Sequence, residues 1–261
     1  MVSILERQTS KAAGWSRRTG AFSAVLLLTD FVGHRFGLVE TPVFLWVLGI
    51  VALLAALALL FAGLAFSRLW NFGDRGGRDL TVGALLALLV LTPYGVAAYW
   101  VTIYPPLRDI STDFDDPPAL DVSDRTKDMN VLSPSTPGEQ TLQTDSYPLV
   151  SARSYDLPFE TVVNAVETVL DRRGWDLSQP YPDLAGQREV TITAVASSFA
   201  LGLPADVAIR VTDNGDMIIV DMRSASRYGR HDLGDNAARI TEFLAELDQE
   251  VAGQVGAAPA E

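Results

Sequence analysis

The residue types most able to do chemistry lie in one stretch near the carboxyl end, residues 220–240, VDMRSASRYGRHDLGDNAARI. Arginines beside the start of a helix are typical of a site that holds an anionic group. The residues that could converge on such a group are Arg223, Ser224, Ser226, Arg227 and Arg230. The sequence leaves three interpretations of this stretch open: binding, catalysis and a structural corner.

The catalytic interpretation is a hydrolase with a serine, a histidine and an aspartate. Its nucleophile would be Ser224 or Ser226, and its base would be His231. His231 lies only five residues after Ser226, across a turn, and no nucleophile-elbow pattern surrounds either serine. Both serines also fall on the apolar face of the predicted strand. The pattern therefore argues against catalysis.

The structural interpretation accounts for most of the same residues. Asp232 is a good helix N-cap, and Asp235 complements the positive end of the helix dipole. Gly229 allows a sharp turn between strand and helix. Arg223 and Arg227 would then pair with nearby aspartates. The residues favour this interpretation over binding, and binding over catalysis.

An α+β unit over residues 148–251 is predicted to position this stretch. Hydrophobic periodicity indicates a helix over LPFETVVNAVETVLDRRGWDL and a last helix from about Asp232 to Val251. Alternation indicates strands over LVSARSYD, EVTITAVASSF, ADVAIRVTD and MIIVDMRSAS, with a short extension near 175–177. The order β-α-β-β-β-β-α predicts an antiparallel sheet with two helices packed on one face. That order is similar to helix-grip modules of envelope assembly lipoproteins.

Residues 1–104 are predicted to be a membrane region. Val43–Phe66 and Leu80–Ile103 are 24-residue runs without a charge, long enough to cross a bilayer. The positive-inside rule places the basic residues before position 19 and those between 68 and 78 on the same side, which requires two crossings between them. Three spans are therefore expected, at about 20–38, 43–66 and 80–103. This topology puts the N-terminus in the cytoplasm and the carboxyl-terminal domain in the periplasm, outside the inner membrane.

Two polar residues interrupt the first predicted span. Asp30 and His34 are four residues apart and share a helix face. A pair of this kind can handle protons. The alternative is that the span tilts and that His34 and Arg35 extend to the outer interface. We favour the second, because the other two spans offer no ionisable partner.

Composition excludes several function classes. Residues 1–104 have eight basic and five acidic residues, whereas residues 105–261 have twelve and twenty-seven. The acidic half is unsuited to nucleic acid. The absence of cysteine excludes disulfides and thiolate metal sites.

Residues 105–147 are predicted to be an acidic, proline-rich spacer. The four aspartates between 109 and 116 do not have calcium-loop spacing, so no calcium site is expected there. Residues 252–261 are predicted to be a disordered tail.

Four segments resemble a bacterial and plastid family known as domain of unknown function 1499. They are RDISTDFDDPP after a membrane segment, YPLVSARSYDLPFETVVNAVETVLDRRGWDL, FALGLPADVAIRV and VDMRSASRYGRHDLGDNAARITEFLAEL. The resemblance covers about Asp109–Leu247 and implies a sheet with helices but no activity. Its signature includes Arg223, Ser224, Ser226, Arg227, Gly229, Asp232, Gly234, Asn236 and Arg239.

The sequence therefore predicts a multi-pass inner-membrane protein whose periplasmic domain is a non-enzymatic binding or assembly module. The candidate binding residues are Arg223, Ser224, Ser226, Arg227, Asp232, Asn236 and Arg239. The expected partners are the lipid bilayer and either an envelope protein or an anionic small ligand. No cofactor, metal or nucleic acid is expected. An envelope hydrolase using Ser226 and His231 is the alternative, and a transporter subunit is a weaker one.

Overall fold

The computed structural model describes residues 8–198 and 200–257, and the chain divides into two compact units. The N-terminal unit covers residues 1–100 and the C-terminal unit covers residues 101–261.

Long helices build the N-terminal unit. They are α1 (Lys11–Arg35), α2 (Thr41–Phe72) and α3 (Gly77–Ile103). The hydroxyl of Ser10 accepts a hydrogen bond from the Ala13 N–H and caps α1. A side chain at Gly83 would lie 2.6 Å from the backbone nitrogen of Arg17, so close packing of α1 on α3 requires glycine there.

Two of these helices, α2 and α3, are long and apolar enough to cross a membrane. Only 22% and 17% of their most apolar windows are buried against the rest of the protein, unlike the core helix of a water-soluble protein. They contain the predicted second and third spans and extend both. The predicted first span falls within and just beyond α1, which at 25 residues is long enough to cross a membrane but is less apolar than α2 and α3. The third crossing stays a prediction.

An antiparallel sheet forms the centre of the C-terminal unit. Its strands are β1 (Asp109–Ser111), β2 (Arg153–Tyr155), β3 (Asp176–Leu177), β4 (Glu189–Ser197), β5 (Pro204–Asp213) and β6 (Ile218–Ser226). The order is β1-β6-β5-β4-β3, and β2 pairs with β6 beside β1. Ile209 pairs with Met222 in the β5–β6 hairpin. Asn214 and Gly215 turn that hairpin, with Gly215 at a φ of +100°.

Two helices of the C-terminal unit, α5 (Phe159–Arg173) and α6 (Asp235–Ala257), pack on one face of the sheet. The alternation of β5 and β6 points Ile209 and Met222 into this core, where both are fully buried. From β2 to α6 the elements follow the predicted order β-α-β-β-β-β-α. The last helix continues to Ala257, beyond the predicted end at 251, so the first half of the expected tail is helical. Residues 258–261 lie outside the described residues.

The prediction of a spacer over residues 105–147 differs from the structure. This segment contributes β1, which pairs with β6, and a short helix, α4 (Pro137–Ser146). Its middle part covers the sheet face opposite to α5 and α6, where Leu120 and Leu132 pack with Ala208 and Ala225. The sequence did not indicate β1 because a three-residue strand is too short to show hydrophobic alternation. It did not indicate the ion pairs because aspartates that pair with buried arginines look the same in the sequence as solvated aspartates.

Candidate functional site

The alternation of β6 divides the predicted site between the two faces of the sheet. Ser224 and Ser226 point toward the helices, whereas Arg223 and Arg227 point to the opposite face. These residues therefore do not converge on one ligand, as the binding interpretation of the sequence expected. Each set takes part in a different cluster.

The inner cluster is a fully paired hydrogen-bond network around Asn236, which has no exposed surface. Its Oδ1 accepts from Ser224 Oγ at 2.8 Å and from Arg239 Nη1 at 2.7 Å. Its Nδ2 donates to Ser226 Oγ at 2.9 Å and to the Arg108 carbonyl at 3.0 Å. All four hydrogen-bonding positions of the amide are therefore used within the domain. The cluster joins β6, α6 and the chain before β1.

The turn before α6 uses two further signature residues. The Asp232 carboxylate accepts from the backbone N–H of Gly234 at 3.0 Å and of Asn236 at 3.1 Å, which caps the helix. Burial raises the pKa of Asp232, and these two hydrogen bonds oppose that shift. Gly234 has a φ of +83° and lies against the Tyr104 ring, so both its conformation and its space require glycine.

His231 bonds to backbone atoms on both sides of its ring. Its Nδ1 accepts from the Leu233 N–H at 2.9 Å, so its Nε2 donates to the Tyr104 carbonyl at 3.0 Å. Ser226 Oγ is instead bonded to Asn236. A hydrolytic mechanism needs the imidazole beside the nucleophile, and the described geometry directs it elsewhere.

The outer cluster consists of arginines from the sheet paired with aspartates. Arg223 binds Asp109 through Nε at 2.9 Å and Nη2 at 2.7 Å, and Arg227 binds Asp206 at 2.6 Å. Further pairs join Arg227 to Asp124, Arg125 to Asp206, and Arg210 to Asp113 and Asp116. Most of these aspartates belong to the segment that was predicted to be a spacer. Their carboxylates thus neutralise buried arginines.

A groove of about 330 Å³ lies at the edge of this outer cluster. Its lining residues are Phe114, Asp115, Pro117, Leu132, Ser133, Pro134, Ser135 and Arg223. The Arg223 side chain is 13% exposed. Because Nε and Nη2 bind Asp109, its Nη1 is the remaining donor, and it has no hydrogen-bond partner among the described residues. The groove thus combines an apolar wall with a guanidinium group that keeps unbonded N–H groups, among them those of Nη1.

Two polar residues of this region, the buried Gln143 and the half-buried Asn130, were missed in the sequence. Gln143 of α4 accepts from the Ser111 N–H at 3.3 Å and donates to the Ser111 carbonyl at 2.7 Å, which pairs part of the free edge of β1. Asn130 Nδ2 donates to the carbonyls of Ser226 and Gly229. Neither belongs to a recognisable motif. The one available signal was that the family resemblance begins at Asp109, inside the supposed spacer.

The polar pair Asp30 and His34 of α1 lies inside the N-terminal unit. Asp30 is 6% exposed, and the ring of His34 stacks on Phe44 at a centroid distance of 4.2 Å. Of the three polar residues Asp30, His34 and Arg35, Arg35 is the exposed one. The stacking on Phe44, near the start of α2, fixes the ring of His34 but not its depth in a bilayer, so the favoured interpretation, in which His34 and Arg35 extend to the interface, stays a prediction.

Comparison with known protein families adds one result. A family model described as Protein of unknown function (DUF1499) matches residues 109–247, more than half of the 261-residue chain. The chain belongs to this family. No curated protein matches it. In this DUF1499 protein the matched range begins with β1 and ends within α6, so the family unit includes the acidic segment and the groove.

Proposed function

We propose that the chain is a three-span inner-membrane protein with its N-terminus in the cytoplasm and its C-terminal unit in the periplasm. The length and hydropathy of α2 and α3 support two crossings. Exposed apolar side chains along α1, such as Phe22, Val25 and Leu28, support a lipid-facing surface for the third. The basic residues up to Arg18, at the start of α1, and those from Arg68 to Arg78, around the turn between α2 and α3, support the orientation.

Reporter fusions test this topology. Alkaline phosphatase fused after Glu261 is expected to be active and a green fluorescent protein fused there to be dark. The matched control is the same pair of fusions after Asp74, between α2 and α3, where the opposite result is expected. A fluorescent fusion together with an inactive phosphatase after Glu261 would refute the three-span topology.

The same proposal makes the C-terminal unit, with a helix-grip-like fold, a non-enzymatic binding module for an envelope protein. The observation that carries it is that Arg223, whose Nη1 has no hydrogen-bond partner among the described residues, lines a partly apolar groove. The groove has the size of a ligand pocket, with a few polar groups among apolar ones. The engagement of His231 with backbone atoms argues against the hydrolase alternative.

Charge around the groove favours a neutral binding group over an anionic one. Asp109 already neutralises Arg223, and Asp115 also lines the groove. An anion would have to displace or approach these carboxylates. A backbone carbonyl, in contrast, can accept from Nη1 without disturbing the ion pair. Phe114, Pro117 and Leu132 then provide contact surface for an apolar side chain. The proposed ligand is therefore an extended segment of a partner protein.

Site-directed photocrosslinking in intact cells tests this function. A photoreactive residue at Ser133, inside the groove, is expected to yield one discrete crosslinked partner. The same residue at Gln187, which is exposed in a distant loop, is the matched control and should yield none.

Two substitutions then separate binding from folding. Arg223→Lys keeps a cation beside Asp109 but removes the Nη1 donor, and Phe114→Ala removes part of the apolar wall. Both are expected to reduce the Ser133 crosslink several-fold, because one hydrogen bond or aromatic contact contributes about 1 kcal/mol. An undiminished crosslink in both folded variants would refute the groove as the binding surface.

A further inference from the structure

Two buried atoms without a hydrogen-bond partner lie on the same face of α1. Among the described residues, four buried side-chain atoms lack a partner, and two of them are Asp30 Oδ2 and His34 Nε2. These residues are four apart in one helix, which brings their side chains together. Unpaired buried polar atoms are costly, so two neighbouring ones indicate that something joins them.

The hydrogen bond on the other side of the imidazole determines what Nε2 can do. His34 Nδ1 lies 3.1 Å from the Val39 carbonyl, which can only accept, so Nδ1 carries a hydrogen. Nε2 is consequently an acceptor when the ring is neutral and a donor when the ring is charged. Asp30 Oδ2 has the complementary choice, since a protonated carboxyl donates and a carboxylate accepts.

No other charged group competes for this pair. Between positions 41 and 67, α2 contains no charged residue. From α3, Tyr94 is within electrostatic reach of Asp30, but its hydroxyl donates to the Leu48 carbonyl at 2.8 Å. Arg35 and Glu40, at the nearby helix ends, are exposed. Among the described residues, His34 is therefore the group that acts electrostatically on Asp30, although no direct hydrogen bond joins the two side chains.

We propose that Asp30 and His34 form a buried site that binds one proton, shared between Oδ2 and Nε2 through one bridging water molecule. With the proton on the carboxyl, the O–H donates to the water, and the water donates to the neutral ring. With the proton on Nε2, the imidazolium donates to the water and the water donates to the carboxylate, so one O–H bond has been exchanged for one N–H bond. The pair is neutral overall in both arrangements.

Release of this proton would leave a single negative charge inside an apolar helix unit. Such a charge is strongly disfavoured away from water. The neutral, proton-bound pair should therefore be strongly favoured over the charged one. This property is independent of the groove, because it resides in the other unit.

Two spectroscopic measurements on the full chain in lipid nanodiscs at about pH 8 test the proposal. Infrared difference spectra between the native protein and Asp30→Asn report a protonated carboxyl. Nitrogen-15 labelling of histidine rings reports an imidazolium, and the chain has only two histidines, so His34→Gln assigns the signals. We expect the native protein to show one of the two, and Asp30→Asn to lose it while the His231 signal stays unchanged.

Variants identify the proton carrier. Tyr94→Phe keeps the proton signal if the pair holds it, and loss of that signal would assign the proton to Tyr94 and overturn the proposal. His34→Gln should show a carboxyl band whichever form the native protein adopts, because no neighbouring base remains to take the proton. A native protein with a neutral His34 ring and no carboxyl band removed by Asp30→Asn would also overturn it. If Asp30→Asn fails to fold, His34→Gln decides, and absence of its carboxyl band refutes the site.

Discussion

Replacing Asn236 by leucine tests whether the inner cluster is structural. Leucine has nearly the same volume but no polar atoms, so all four hydrogen bonds of the amide are lost. At about 1 kcal/mol for each bond, the free energy of unfolding should fall by about 4 kcal/mol. A typical domain is stabilised by roughly 5–15 kcal/mol, so this loss would be a large part of the total.

Hydrogen–deuterium exchange of the full chain in micelles measures this loss locally. A change of about 4 kcal/mol corresponds to roughly 700-fold faster exchange of protected amides. We expect this in peptides from β6 and α6, with unchanged exchange in α2. Ser226→Ala is the matched control, because it removes one of the four bonds and should accelerate exchange about fivefold.

The structural account fails if Asn236→Leu accelerates exchange no more than Ser226→Ala does. That result would mean that the four contacts do not stabilise the domain. A binding role for the buried amide would instead predict weakened ligand capture at unchanged exchange rates.

Three further predictions concern other parts of the C-terminal unit. Gly234→Ala should destabilise the domain by about 1–3 kcal/mol, seen as a lower Tm, because the new Cβ would lie 2.6 Å from the Tyr104 ring at a positive φ. Gln143→Leu should cost about 2 kcal/mol and speed amide exchange in β1, whose edge it leaves unpaired. Hydrogen bonds from the α4 N-cap lower the pKa of Glu139. The stabilisation that ionised Glu139 provides is therefore complete above its ordinary pKa of about 4.3, and it is lost as the pH falls through the lower pKa of the folded state. Glu139→Gln should abolish this pH dependence in acid unfolding curves.

The sequence predicted the elements that are long enough for their hydrophobic periodicity to be recognised. In β5, Val207, Ile209 and Val211 alternate with residues of the other face, and Asn214-Gly215 marks the turn into β6. The stripe of α5 and its stop at Gly174 were equally readable, and Gly174 has the left-handed φ of +62° that ends a helix. These features depend on local geometry alone.

The candidate site was harder to predict because its contacts join distant parts of the chain. The sequence placed Arg223 and Ser224 together, yet adjacent strand residues face opposite sides of a sheet. Asn236 stood out only through the family resemblance, and its role depends on the Arg108 carbonyl, 128 residues away. The ion-pair partners of the sheet arginines looked like solvated aspartates because nothing local distinguishes the two.

The order of the strands has a consequence for folding during synthesis. The earliest strand, β1, hydrogen-bonds with the latest, β6, and the Arg223–Asp109 ion pair spans 114 residues. Contacts of such long range slow folding, because the intervening chain must first be brought together. The acidic segment therefore cannot complete its pairing with β6 until nearly the whole chain has emerged. Truncation near the carboxyl end should then give an aggregation-prone fragment rather than a smaller folded domain.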